Sequence, residues 1–327
     1  MRDTETPSGA LTRLRAWWGR NRRRLGVVGL VLLLFAIVAT GWYAATPLRA
    51  TPGSLDAVRA NDAVAVSQGN GTYVLSPTDS EKSRVGLVFY PGAHVHPDAY
   101  LSSLAPLAAD ANVTVFVPEV TLTLAVFDQN AAAPVIRAHP DIDRWYVGGH
   151  SLGGAMACRY AAENDDRVDG LVLFASYCDR SLSDSDIRVL SVTGSADTVL
   201  NRDRYRESQS NLPGDATVVE VDGVNHTQFG AYTGQRGDKP SGTSYETAHD
   251  RLAAVVVPWF APVNVSGEPA RLTLSRSSRD VTTSGLYRAG GCSSSRLWSS
   301  RTSNEATVDN AHLCPHRHWG PKLSVDI

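Results

Sequence analysis

The sequence predicts an α/β domain built on a mostly parallel central sheet flanked by helices and preceded by one membrane-spanning helix. Three observations carry this expectation. Short apolar runs alternate with helix-prone stretches from about residue 85 to 260. Arg144 to Ala162 reads as strand, sharp turn and helix. Leu25 to Ala45 contains no charged residue.

The N-terminal segment 1–24 is polar and basic and ends in Arg20-Asn21-Arg22-Arg23-Arg24. The apolar run 25–45 is long enough to span the roughly 30 Å hydrocarbon core as a helix. Trp17-Trp18 and Trp42-Tyr43 flank it where interfacial aromatics belong, and the arginines cluster before it. The positive-inside rule then puts the N-terminus in the cytoplasm and the rest outside the cell membrane. A cleaved signal peptide is the rival, but this run exceeds a usual signal core and lacks a clear Ala-x-Ala end, which favours an uncleaved anchor.

Residues 46–60 read as a linker or the opening of a first helix. Ala63 to Val66 and Thr72 to Leu75, separated by Gly69-Asn70-Gly71, predict a hairpin. Strands follow at Val85–Tyr90, Val113–Val117, Arg144–Gly149, Gly170–Phe174, Val189–Thr193 and Thr217–Val221. Helices are expected at Pro97–Ala111, near Ala131–Ala138, after Ser151, around Arg202–Ser210 and from about Ser244 to Phe260. Strands apolar throughout belong in a parallel sheet covered on both faces. The short connection from Phe174 to Val189 leaves little room for a lid. The domain therefore runs from 61 to 262, and a Ser/Arg-biased tail of low order, 263–327, follows.

Composition excludes more than it assigns. The 327 residues carry a net charge of −2, with no basic stripe interleaved with aromatics, so nucleic-acid binding has no support. Four cysteines, Cys158, Cys178, Cys292 and Cys314, are too few and scattered for a disulfide scaffold, and their pairing cannot be read. Cys158 reads as a small buried apolar residue. No metal or cofactor is expected: His94 and His96 lack a third ligand, and the spacing of Cys292, His312, Cys314, His316 and His318 fits no common zinc site.

The chemistry concentrates at Gly149-His150-Ser151-Leu152-Gly153. Strand, sharp turn and helix is the setting that turns a loose Gly-x-Ser-x-Gly match into a nucleophile elbow, because a serine on a strained turn needs neighbours without bulk. Asp197 follows the strand 189–193 and His226 follows the strand 217–221, so both sit past strand C-termini, where open α/β sheets bind ligands. Ser151 as nucleophile, His226 as base and Asp197 as the acid that fixes its tautomer fall in the order this motif requires. Asp179 and Asp222 compete as acids, and His94, His96 and His249 as bases. Pro91-Gly92-Ala93-His94 ends the strand 85–90, where the N–H of Ala93 can join that of Leu152 in an oxyanion hole. Gly92, His94 and His150 are expected to line the substrate pocket.

Tyr90-Pro91-Gly92-Ala93, Gly148-Gly149-His150-Ser151-Leu152-Gly153-Gly154, Gly194-Ser195-Ala196-Asp197 and Asn225-His226-Thr227-Gln228-Phe229-Gly230 together resemble the α/β-hydrolase superfamily over roughly residues 60–262. More narrowly, the chain is similar to small prokaryotic exported or membrane-anchored hydrolases with dienelactone-hydrolase-like cores. The resemblance implies hydrolysis of a small-molecule ester or thioester through an acyl-enzyme on Ser151. Two departures stand out: dienelactone hydrolases proper use cysteine, and the second oxyanion glycine of lipases is here Ala93. Acyl transfer, thioester hydrolysis, cofactor-free peroxidation and a catalytically silent binding domain are the alternatives.

Overall fold

A computed structural model describes residues 7–78 and 83–260. Helix α1 (Pro7–Ala45) is followed by a short α2 (Ser54–Arg59) and the hairpin β1 (Val64–Gly69) and β2 (Thr72–Pro77). Then come β3 (Val85–Tyr90), α3 (Leu101–Ala111), β4 (Val113–Pro118), α4 (Ala132–Ala138), β5 (Arg144–His150) and α5 (Leu152–Glu163). The domain closes with β6 (Gly170–Phe174), β7 (Arg188–Gly194), α6 (Arg202–Ser208), β8 (Thr217–Val221) and α7 (Tyr245–Phe260). The predicted strands and helices of the sheet region are thus present, with ends differing by up to four residues; the largest difference is at Pro97–Tyr100, a 3-10 turn that precedes α3.

The eight strands form one sheet in the order β1-β2-β4-β3-β5-β6-β7-β8. The pairs β1–β2 and β2–β4 are antiparallel, and from β4 to β8 every pair is parallel. Alternation along each strand supplies two cores. Leu87 and Phe89 of β3 face a core shared with α3 and α7, whereas Val88 and Tyr90 face one shared with α4 and α5. A fully buried side chain such as Phe89 contributes roughly 1.5–3 kcal/mol relative to exposure.

Parallel strands share a direction, so the loops after β3, β4, β5, β7 and β8 gather on one edge of the sheet. Of residues 46–60, read as a linker or the opening of a first helix, Ser54–Arg59 form α2, and Leu48 and Thr51 are bonded to that edge. Leu48 bridges in parallel to Val95, and the Thr51 N–H donates to the Ala231 carbonyl at 2.6 Å. Within α1, Asn21–Ala45 is long and apolar enough to cross a membrane and is unburied throughout. The tail 263–327, with Cys292 and Cys314, lies outside the described residues.

Cys158 is not simply a small apolar core residue: it forms a disulfide with Cys178, their Cα atoms 5.3 Å apart. The bond ties α5 to the loop after β6 and closes a 20-residue separation. Loop-closure entropy puts its contribution at about 3 kcal/mol. Paired Cys158→Ala and Cys178→Ala substitutions should lower unfolding free energy by about that amount in urea titrations. An unchanged midpoint would show that the cross-link is not stabilising.

Candidate active site

Ser151 stands between β5 and α5 with φ 53° and ψ −122°, a conformation that side chains seldom adopt. Its own N–H donates to the Phe174 carbonyl at 2.9 Å, and the Ser176 hydroxyl donates to the Ser151 carbonyl at 2.6 Å. Those bonds hold the turn from two sides. Small neighbours are obligatory: a Cβ on Gly153 would lie 2.2 Å from the Tyr90 carbonyl oxygen, and one on Gly149 would lie 2.5 Å from the Gly153 carbonyl carbon. Ser151 itself is half-buried, at the surface of the strand-end edge.

His226 opens a 3-10 turn, His226–Phe229, whose start is capped by Asn225 and Gln228 reciprocally. Asp238 reaches across to accept the N–H groups of His226 and Thr227, at 3.3 and 2.9 Å. The His226 Nδ1 lies 2.8 Å from Asp197 Oδ2, and the two side chains are 2% and 0% exposed. The other carboxylate oxygen, Oδ1, accepts the N–H groups of Val199 and Leu200 at 2.8 and 2.9 Å. Burial pushes the Asp197 carboxyl up, but the His226 contact and these N–H donors outweigh it, and its pKa falls below the ordinary value.

Behind His226 stands His150, fully buried, with ring centroids 4.4 Å apart. The Gly92 N–H donates to the Tyr100 hydroxyl at 2.9 Å, and the same hydroxyl shares a hydrogen bond with His150 Nδ1, 3.0 Å away. Burial first, and the neighbouring His226 second, drive the His150 pKa well below its usual value.

The structure therefore brings together Ser151, Leu152, His150, His226, Asp197 and Gly92 around one strand-end edge. A hydrogen bond from the Ser151 hydroxyl to His226 is not among those formed by the described residues. Leu152 is the first residue of α5, where backbone N–H groups have no helical acceptor. In the turn after β3, the Val95 N–H bonds the Gly92 carbonyl, and Ala93 between them is half-buried. His150, expected on a pocket wall, is sealed inside, because its ring fills the space between Tyr100, Phe229 and His226. His94 faces away to stack on Tyr43 of α1, ring centroids 4.1 Å apart.

The competing residues are engaged elsewhere. Asp179 pairs with Arg159 at 2.6 Å, Asp222 accepts from the Ser195 hydroxyl at 3.0 Å, and His249 Nε2 bonds the Gly230 carbonyl at 2.8 Å. His96 pairs with Asp98 at 3.0 Å. Tyr100, Ser176 and Asp238 escaped the sequence reading, since each reaches the site through a contact whose partner is distant in sequence. Among the described residues no group of three or more His, Cys, Asp or Glu could hold a metal ion. A cleft of about 1150 Å³ opens at the same sheet edge between the hairpin tip and the loop after β4.

A mostly parallel sheet with helices on both faces and a strained serine between strand and helix defines the α/β-hydrolase class. Residues 86–250 match the family described as the alpha/beta hydrolase family, and the chain belongs to it. No curated protein matches the chain.

Two outcomes follow from the packing and charge of this edge. Gly153→Ala should cost about 3 kcal/mol or more, because the clash is with backbone, whereas Gly214→Ala, with nothing within 4 Å, should be tolerated. Equal denaturation midpoints for the two variants would contradict the crowding argument. The second outcome concerns pH. An unfolded histidine takes a proton below about pH 6.5, and folded His150 stays neutral, so stability falls as pH drops below that value. Asp197 acts in a lower window: its contribution is complete above about pH 4 and is lost as pH falls through its depressed folded value. His150→Gln should therefore remove about 1.4 kcal/mol per pH unit from the slope between about pH 6 and 5. Urea titrations across that range test it, and an unaltered slope would count against a neutral His150.

Proposed function

We propose that the chain is a serine hydrolase that cleaves a carboxylic ester through an acyl-enzyme, with Ser151, His226 and Asp197 as its triad. The observation that carries this reading is the buried His226–Asp197 pair, at the same strand-end edge as a serine held in a strained turn. His226 Nε2 takes the Ser151 hydroxyl proton while Oγ attacks the ester carbonyl carbon. The negative charge passes to the carbonyl oxygen, and the N–H groups of Leu152 and Ala93 receive it. Collapse breaks the bond to the alkoxy group, which leaves with the proton from His226. Water then repeats the sequence on the acyl-enzyme and frees the carboxylic acid and Ser151.

Asp197 accepts the Nδ1 proton of His226, fixes the tautomer that leaves Nε2 as acceptor, and steadies the imidazolium. The contact between Ser151 and His226 is one that commonly tightens only when substrate is bound. The resemblance supports a dienelactone-hydrolase-like core with serine in place of cysteine, and the short connection from β6 to β7 leaves little room for a lid there. The cell membrane holds it by α1, with the N-terminus in the cytoplasm and the hydrolase domain outside. The arginines before the span support that orientation, and the Cys158–Cys178 disulfide fits an oxidising compartment.

Short-chain p-nitrophenyl esters test this reading. Ser151→Ala and His226→Ala should each lower kcat/KM at least about a thousandfold, and a fluorophosphonate should label Ser151. A folded wild type that neither turns over the ester nor takes the label would make the domain a binding module.

A further inference from the structure

The edge that carries Ser151 is also the edge at which the apolar helix joins the domain. Only two residues, Thr46 and Pro47, lie between the end of α1 at Ala45 and the bridge of Leu48 to Val95, a reach of about 10 Å. The Leu48 N–H donates to the His94 carbonyl and the His96 N–H to the Leu48 carbonyl, both at 2.8 Å. Tyr43, still inside α1, stacks on His94, the residue after Ala93. The chain then crosses to the loop that follows His226, where the Thr51 N–H meets the Ala231 carbonyl. A helix end pinned this way cannot swing to the far side of the sheet.

The exposed apolar side chains agree. Outside α1, the described residues expose four large hydrophobics: Leu122 at 37%, Val126 at 44%, Phe127 at 59% and Val218 at 49%. Three of these four lie in the single loop after β4. That loop is tied to the same place, because the His94 N–H donates to the Thr123 carbonyl at 2.9 Å, and Ala44, Ala45, Leu122 and Thr123 border one small cleft. Its backbone is strained as well: Leu122 and Thr123 sit at φ 54° and 56°, left-handed values disfavoured for a bulky and a β-branched residue. Strain of this kind persists where the surroundings hold it, and here it presents Leu122 beside the helix end.

An apolar loop continuous with the exit of an apolar helix meets the same solvent as that helix, the interfacial layer of a bilayer. Trp42, 73% exposed near the end of α1, marks the depth at which aromatic anchors sit. We propose that the active-site edge lies against the membrane and that the loop Leu122–Phe127 dips into it. The ester cleaved is then an acyl amphiphile drawn from the bilayer rather than a freely dissolved one. This rests on the ester-hydrolase reading for its chemistry and on α1 as a membrane anchor for its orientation.

The full-length chain in phosphatidylcholine vesicles provides the test, with two readouts. In a background of Cys292→Ser and Cys314→Ser, Phe127→Cys is labelled with an environment-sensitive fluorophore. Gly214→Cys, which precedes β8 at the opposite edge of the sheet, is labelled as the control. Nitroxide-bearing lipid should quench the label at position 127 and leave that at 214 unaffected. In parallel, the rate on a fluorogenic fatty-acyl ester embedded in the vesicles is divided by the rate on dissolved p-nitrophenyl acetate. Combined Val126→Asp and Phe127→Asp substitutions should lower that ratio at least tenfold. Turnover of the dissolved ester with an unquenched label at 127, or with a ratio the aspartates leave unchanged, overturns the membrane-facing proposal and spares the hydrolase reading. Quenching at 127 without turnover of either ester overturns the hydrolase reading and the amphiphile substrate, and leaves only the orientation.

Discussion

Backbone crowding where β5 passes into α5 governs the placement of nearly everything else at the strand-end edge. The first turn of α5 lies so near the end of β3 that a Cβ on Gly153 would meet the carbonyls of Tyr90 and Pro91 at 2.2 and 2.3 Å. That approach sets the start of α5, with its unbonded N–H groups, beside the Gly92-Ala93 turn. It also leaves Ser151 no ordinary backbone conformation, so the residue takes φ 53°. The strain is carried by the bond from the Ser151 N–H to Phe174 and by the Ser176 hydroxyl, both contributed by β6 and its loop. The Cys158–Cys178 cross-link anchors the same loop to α5 a few residues further on.

On the other side of the site, the His226–Asp197 pair is almost completely withdrawn from water. Burying an ionised carboxylate costs several kcal/mol unless other groups compensate. Two backbone N–H donors from the turn after β7 and the imidazole of His226 together supply that compensation. Asp238 then fixes the backbone of His226 from the loop beyond, so neither ring position nor loop position depends on a single contact. His150 sits behind this pair as a neutral ring, held by Tyr100 and wedged against Phe229. Under the proposed mechanism, a charged His150 would oppose the imidazolium formed on His226, and burial disfavours that charge.

What the sequence revealed was whatever is encoded within a few residues. The hairpin at Gly69-Asn70-Gly71, the apolar strands and the glycines around Ser151 each reflect a local demand on backbone shape. Asp197 and His226 were legible because a parallel sheet converts a position just past a strand into a position on one edge. The Tyr100–His150 bond, the Ser176 brace and the cysteine pairing were not, because each joins residues whose proximity exists only once the sheet is assembled. His150, next to Ser151 in sequence, is fully buried, and His94, next to Ala93, stacks on Tyr43 near the end of α1; neither contact could be read from sequence neighbours.

Residues 46–51 carry the most consequence for how the domain would meet a membrane. A flexible spacer of similar length would let the domain tumble above the bilayer, presenting every face in turn. A segment hydrogen-bonded at Leu48 and Thr51 does the opposite, because each bond spans loops that also frame Ser151 and His226. In the proposed arrangement, the tilt of α1 in a bilayer would set the tilt of the strand-end edge, and Leu122, Val126 and Phe127 lie on the side of the domain where that helix ends. The helix would then orient the domain as well as tether it, and a substrate would reach Ser151 by lateral diffusion within the membrane rather than through water.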